Sequence, residues 1–364
     1  MNVAVWRYGL PLQVEAQSTV GGGKIAGELL KTLKKQGHNV TVVGPVSKGV
    51  EQWLADAGIA HKRTNDLSTM DAAVVLTGPF NVMYGDGVFD TYRRLATLNG
   101  KAIYAQWDVA LPFHFAADRS TKFAADCHVR TPHLLKNKEW FLFTQLEEEH
   151  VRASKAASTM YATAPFKHVR CLFELVELEK ELLKPVKNPV PAIAYFGSDR
   201  PGRMRELLRW FGAPGSPPVH LYGQWSEKSL AELMKNQGFE PNIEYRGKIP
   251  EGRVTEVLNQ YVMTFYMADP AYVKTDFIAQ RFFENAIAGV ATYYSDKIQP
   301  SVRKTVPSGL VLEDPKQLKE AFQHVVSMPF KKRLGLVHQH QEAILSFAKS
   351  HPHSMRNAFE QVLS

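Results

Sequence analysis

The chain has 364 residues, 45% of them hydrophobic, and a formal net charge of +8. That length exceeds one ordinary hydrophobic core, so two domains are expected, and the charge favours anionic partners (phosphorylated small molecules, nucleic acid or acidic lipid) without choosing among them. Cys127 and Cys171 have no CxxC spacing, MNVAVWRYG has no signal-peptide pattern, and no apolar run approaches the ~20 residues of a membrane helix. A disulfide framework, a cysteine zinc site and stable membrane insertion are therefore not expected; a soluble cytoplasmic monomer is.

Asn2–Trp6 reads as a short buried strand. The glycines Gly21, Gly22 and Gly23 then lead into a helix from Gly22 to Lys35, with Ile25, Leu29, Leu30 and Leu33 on one face. Bare backbone N–H groups at a positive helix end suit a phosphate or a close ligand approach. A flexible loop before a helix start is the plain alternative. A nicotinamide site is discounted, and a nicotinamide oxidoreductase is the least favoured reading: the loop after the first strand is too long, and the second strand, Val40–Val43, ends in Gly44-Pro45 without a ribose-binding acid. Lys24 is followed by Ile25, so the run is not a Walker loop either.

Further strands are expected at Ala72–Leu76, Ala102–Ala105 and Thr159–Ala162. Short apolar strands separated by helices argue for a parallel sheet covered on both faces. Asp108 stands just past a strand end in YAQWD, where a carboxylate serves either as a general base or as a turn or helix cap. Residues 114–140 carry Arg119, Lys122, Arg130, Lys136 and Lys138 among histidines and aromatics. They form a candidate phosphate-contacting surface or an ordinary solvated insertion.

KPVKNPVP, residues 184–191, has three prolines in eight positions and reads as a linker between an N-terminal domain (1–183) and a second one (192–349). Alternation then restarts, with strands at Ala192–Phe196, Val219–Tyr222, Ile243–Tyr245, Val262–Tyr266 and Val290–Tyr293. Two Rossmann-like α/β domains joined by a hinge are expected, with ligands at the carboxyl ends of the strands. GSDRPGRMR, residues 197–205, puts Arg200, Arg203 and Arg205 at a strand-to-helix turn, suited to a diphosphate or to solvent. In QRFFENAIAGVATYYSD, residues 280–296, Arg281 and Glu284 share a helix face, and Asp276 lies eight positions before Glu284. Such a pair can grip a phosphate and a ribose, or form an internal salt bridge.

Taken in order, GGGKIAGELLKTLKKQGHNVTVVGP, AYFGSDRPGR, HLYGQW, IEYRGKIPEGRVTEVLNQYVMTFYMADP, RFFENAIAGVATYYSD and GLVLEDPKQLKEA resemble the glycosyltransferases of the GT-B fold over most of the chain. YAQWD and the Arg281–Glu284 spacing are most similar to the T-even phage DNA glucosyltransferases. The resemblance implies two Rossmann-like domains facing across a cleft, with the last helix (350–364) crossing back to the first domain. It implies a UDP-sugar donor, UDP-glucose first. Donor contacts would come from Gly22, Gly23, Gly197, Arg200, Arg203, Gly223, the main chain near Ile249, Asp276, Arg281 and Glu284. Asp276 takes the place of the first acid of the family's E-x7-E pattern. Asp108 would be the catalytic residue, and 5-hydroxymethylcytosine in duplex DNA the acceptor. Arg119, Lys122, Arg130, Lys136 and Lys138 would hold the DNA backbone. With no DxD pair, a divalent metal would assist at most. Two alternatives stay open: a bacterial glycosyltransferase for an envelope glycan or small molecule, with Lys31, Lys34 and Lys35 as a membrane-facing patch, and a non-catalytic nucleotide- or DNA-binding module.

Overall fold

The computed structural model describes residues 1–7, 11–14, 23–77, 86–107, 133–136, 138–153, 166–173, 178–199, 203–226 and 242–364. Arg119, Lys122, Arg130, Asp108, Gly22, Arg200 and the expected strand Thr159–Ala162 lie outside them. The chain divides into two units, Met1–Val176 with His351–Ser364, and Glu177–Ser350.

The first unit runs β1 (Asn2–Arg7), α1 (Gly23–Lys35), β2 (Asn39–Val43), α2 (Lys48–Asp56), β3 (Ala60–Lys62), β4 (Ala72–Thr77), α3 (Asp86–Thr97), β5 (Lys101–Gln106), β6 (Trp140–Thr144), α4 (Glu148–Ala153) and β7 (Lys167–Arg170). The strands are parallel in the order β3-β2-β1-β4-β5-β6-β7. Val3, Val5, Val42, Val74, Ile103 and Phe143 are fully buried, as expected of strands with helices on both faces. Ser47 caps α2 by accepting the Val50 N–H. β3, β6 and β7 are additions to the strands read from sequence. β7, KHVR, is an edge strand, and only Val169 of it is buried.

The second unit runs α5 (Leu178–Glu181), β8 (Val190–Ser198), α6 (Arg203–Phe211), β9 (Val219–Gln224), β10 (Ile243–Gly247), α7 (Val254–Asn259), β11 (Tyr261–Tyr266), α8 (Pro270–Lys274), α9 (Gln280–Ile287), β12 (Ala291–Ser295), α10 (Pro300–Thr305), β13 (Val311–Leu312), α11 (Pro315–Ser327) and α12 (Phe330–Ser350). Its parallel order is β10-β9-β8-β11-β12-β13. Both sheets thus start centrally, step outward and reverse, which opens a crevice at the carboxyl ends of the two central strands. In this sheet those are β8 and β11. The core beneath is aromatic: Trp210 lies 4.8 Å from Phe265 and Tyr266 5.4 Å from Tyr294, between ring centroids.

The proline-rich stretch 184–191, expected as a linker, is hydrogen-bonded to the second unit. Asn259 donates to the Lys184 carbonyl, Arg333 donates to the carbonyls of Val186 and Lys187, and Val190 already pairs in β8. Prolines remove donors but leave carbonyls, and those carbonyls bind the segment to the second unit. The last helix, α13 (Met355–Leu363), belongs to the first unit. Its Met355, Phe359, Val362 and Leu363 join that core, with Phe359 5.1 Å from Phe143.

Candidate nucleotide-binding site

The carboxyl ends of β8 and β9 meet at two glycines. Gly197 pairs with Gly223, whose φ is +115°, and a Cβ on Gly223 would lie 1.6 Å from the Gly197 carbonyl oxygen. No side chain fits there, so the backbone itself forms a bare floor. Tyr245 on β10 donates its hydroxyl hydrogen to the Gly223 carbonyl at 2.9 Å and fixes that floor from the next strand.

Arg281 overhangs it from the first turn of α9. A Cβ on Gly197 would come within 3.4 Å of Arg281 Nη1 and of the Trp225 ring, and 3.0 Å of the Tyr195 ring. The guanidinium carbon lies 5.7 Å from the ring centroids of both Tyr195 and Phe196, and Nη1 donates to the Tyr195 hydroxyl at 3.4 Å. Its Nε is buried without an acceptor among the described residues. A cation is thus held beside aromatic rings and keeps unused donors next to a glycine backbone. Glu284 follows one turn later and is 4% exposed. Beneath them the Tyr266 hydroxyl is pushed up to about 12 by burial, against the opposing pull of Arg281 and Arg203.

Arg203 opens α6 and is 6% exposed. Nη1 donates to the Ser198 carbonyl at 3.2 Å, and Nη2 stands 3.7 Å from Asp269, the cap of α8. It braces the end of β8 against the loop after β11. Asp276, expected at the donor, is the one residue other than glycine with positive φ (+51°) among the described residues. Its two carboxylate oxygens accept from the Ser301 N–H and hydroxyl at the start of α10. The structure gives it a helix-start role, with its acceptors turned to Ser301. Ile249 packs with Phe196 and Tyr222 on the apolar cluster around Ala194 and Leu258. Its main-chain N–H and C=O make no hydrogen bond among the described residues.

In the first unit, Gly23 opens α1 and is buried. Asp108 follows Trp107, which packs on the core beyond the fully buried Tyr104 and Gln106 of β5. Of the basic surface, Lys136 is exposed. Lys138 instead donates to the Leu98 carbonyl after α3, and burial lowers its pKa. The expected basic patch on α1 is also occupied. Lys34 donates to the carbonyls of Ala57 and Gly58, and Lys31 pairs with the buried Glu28 at 3.0 Å. Among the described residues no helix is long and apolar enough to cross a membrane, and no group of three His, Cys, Asp or Glu could hold a metal ion.

Sequence reasoning missed Tyr195, Trp225 and Tyr245. A signal was present: YFG, LYGQW and YRG each place the aromatic two positions from a glycine at a strand end.

No family model and no curated protein sequence matches the chain. Solved structures do. T4 phage beta-glucosyltransferase in complex with UDP-glucose superposes with a TM-score of 0.72 at 16% identity, covering 99% of each chain. A structure described as the DNA modifying enzyme beta-glucosyltransferase gives 0.72 at 15% identity, again over 99% of each. Anabaena HepE in complex with UDP-glucose gives 0.56 at 12% identity, over 99% of this chain and 98% of that one. The chain has the GT-B glycosyltransferase fold.

Proposed function

We propose that the protein is a UDP-sugar-dependent glycosyltransferase, with the donor on the second unit and the acceptor hydroxyl served by the first. The observation that carries this reading is the Arg281 guanidinium, held over Tyr195 and Phe196 above the Gly197–Gly223 floor at the β8/β11 reversal. A diphosphate brought against the Arg281 guanidinium meets a preoriented cation, with the glycine main chain beside it. Charge developing on the leaving UDP is stabilised there without reorganisation. Arg200 joins Arg281 in this role, and Arg203 adds its charge from beneath while holding the loop. Glu284 takes ribose hydroxyls, and the Ile249 main chain supplies one donor and one acceptor to the uracil edge. Arginines do the neutralising, which leaves a divalent metal an assisting part at most.

Asp108 is the general base in an inverting transfer and takes the acceptor proton; in a retaining transfer it orients the acceptor. The acceptor we propose is a hydroxymethylated base, of the 5-hydroxymethylcytosine type, in phage duplex DNA. The likeness to T4 phage beta-glucosyltransferase, described as a DNA modifying enzyme, supports it, as do the net charge of +8 and the exposed Lys136. The base leaves the stack to reach the site. Lys31 and Lys34 are engaged within the fold, which tells against the membrane-facing rival.

UDP release is measured across several UDP-sugars, each with 5-hydroxymethylcytosine duplex, unmodified duplex and no DNA, followed by mass analysis of the nucleosides. The reading expects a new glycosylated nucleoside only with the modified duplex. Donor turnover indifferent to every DNA would remove the DNA acceptor and keep the transferase; no turnover and no UDP binding would remove both.

A further inference from the structure

The first unit buries a cation that, among the described residues, has no ion-pair partner. Arg94, near the end of α3, is 4% exposed. It lies at the carboxyl ends of β1, β2 and β3. Its guanidinium carbon is 5.7 Å from the Trp6 ring centroid, and Nε donates to the Thr64 carbonyl at 3.2 Å. Nη2 lies 2.7 Å from where a Cβ on Gly44 would stand; Gly44 has φ +100° and so carries none without strain. Asp90, whose charge acts on Arg94, is engaged elsewhere. Asp90 Oδ1 accepts from Asn65 and from Arg93, both at 3.1 Å. The Gly44 carbonyl faces His61 Nε2 at 2.7 Å. Among the described residues neither Nη meets an acceptor. Burial lowers the guanidinium's pKa, and Asp90 offsets this only in part.

A buried charge without a counter-charge is costly, and a filler beside Trp6 needs no charge at all. An arriving anion removes that cost. We propose that Arg94 is the base of an anion site in the first unit that takes a phosphate group, separate from the donor site on the second unit. Two Nη groups in a planar fork match two phosphate oxygens. The Trp6 face lies over the guanidinium, and the missing side chain at Gly44 lets the guanidinium pack against that backbone, which fixes the fork from a second side. The carboxyl edge of a parallel sheet beside its central strand is where ligands of this kind bind. Free phosphate, or a phosphomonoester, and a nucleic-acid phosphodiester share this chemistry.

The full chain is labelled with nitrogen-15, and two signals are followed: the Arg94 Nη groups and the Trp6 indole N–H, which donates to Thr91 at 3.1 Å. Inorganic phosphate, a short unmodified duplex and sodium chloride are titrated separately at matched ionic strength. The proposal expects a saturable shift of both signals with phosphate or with the duplex, and none with chloride. Phosphate alone acting identifies a free phosphate or monoester site; the duplex alone acting identifies a backbone contact. In Arg94→Lys, the Trp6 shift should need at least tenfold more ligand. No shift with either ligand, an equal shift with chloride, or an unchanged affinity in Arg94→Lys overturns it. Should Arg94→Lys fail to fold, the wild-type Arg94 signals still decide. The test does not depend on UDP binding, so it fails independently of the proposed transferase activity.

Discussion

A guanidinium held beside two rings keeps its charge but gives up some of its freedom, and Arg281 lies 5.7 Å from the centroids of Tyr195 and Phe196. Hydrogen bonds to a charged group contribute roughly 1.5–3 kcal/mol. Arg281→Ala should therefore weaken UDP binding by roughly ten- to a hundredfold, read by calorimetric titration, with little change in melting temperature. Asp276 should behave in the opposite way. Its oxygens hold the start of α10 at Ser301, from a backbone with φ +51°. Asp276→Ala should cost about 1–2 kcal/mol of stability, from the lost helix-start contact and the strained backbone together. Asp276→Asn should leave UDP affinity within about twofold, about 0.4 kcal/mol on that scale. A tenfold loss of UDP affinity in Asp276→Asn would return this residue to the donor site.

At the scale of elements, helix α12 carries His340 into the core, where it hydrogen-bonds the Tyr294 hydroxyl of β12 and is 1% exposed. Burial lowers its pKa to about 3. An unfolded histidine takes its proton near pH 6.5. Between those values the unfolded chain binds a proton that the fold refuses. Stability therefore falls as pH drops from about 6.5 toward 3, by up to about 1.4 kcal/mol per pH unit from this group. His340→Gln keeps a partner for Tyr294 and removes the titration. Urea melts of the variant should show a flatter pH slope between pH 6 and 4; an unchanged slope would assign it to other groups. The elements that periodicity announces, α1 with its leucine face and the buried β4, β5 and β11, were legible in the sequence. β7 was not, because an edge strand with one buried residue has no alternation to read. The contacts of the proline-rich stretch were hidden for a related reason: composition records its missing donors but not the carbonyls that Asn259 and Arg333 hold. The site divided the same way. The Arg281–Glu284 spacing could be read from the chain, while the contact of Asp276 with Ser301, twenty-five positions on, could not.

At the scale of the whole molecule, one short helix completes the core of the first unit. α13 lies beyond the entire second unit in sequence, yet Met355, Phe359, Val362 and Leu363 sit in the core of the first with exposures of 0–3%. Each such side chain contributes about 1.5–3 kcal/mol on burial, so the four together give on the order of 8 kcal/mol, an upper figure. Polar ties add to it: Lys101 Nζ donates to the Val362 carbonyl at 2.7 Å, and the Leu172 N–H donates to His353 at 2.7 Å. A domain's whole stability is about 5–15 kcal/mol. A chain ended at Ser350 should therefore lose the first unit's cooperative transition in calorimetry. The second unit keeps its own strands, its aromatic core and Arg281 over the glycine floor. It should still melt as a unit and bind UDP within about threefold of the intact chain, about 0.7 kcal/mol, while transfer activity disappears with the Asp108-bearing unit. Loss of both transitions together would show that the two cores do not unfold separately, and that the last helix holds up more than the unit it packs into.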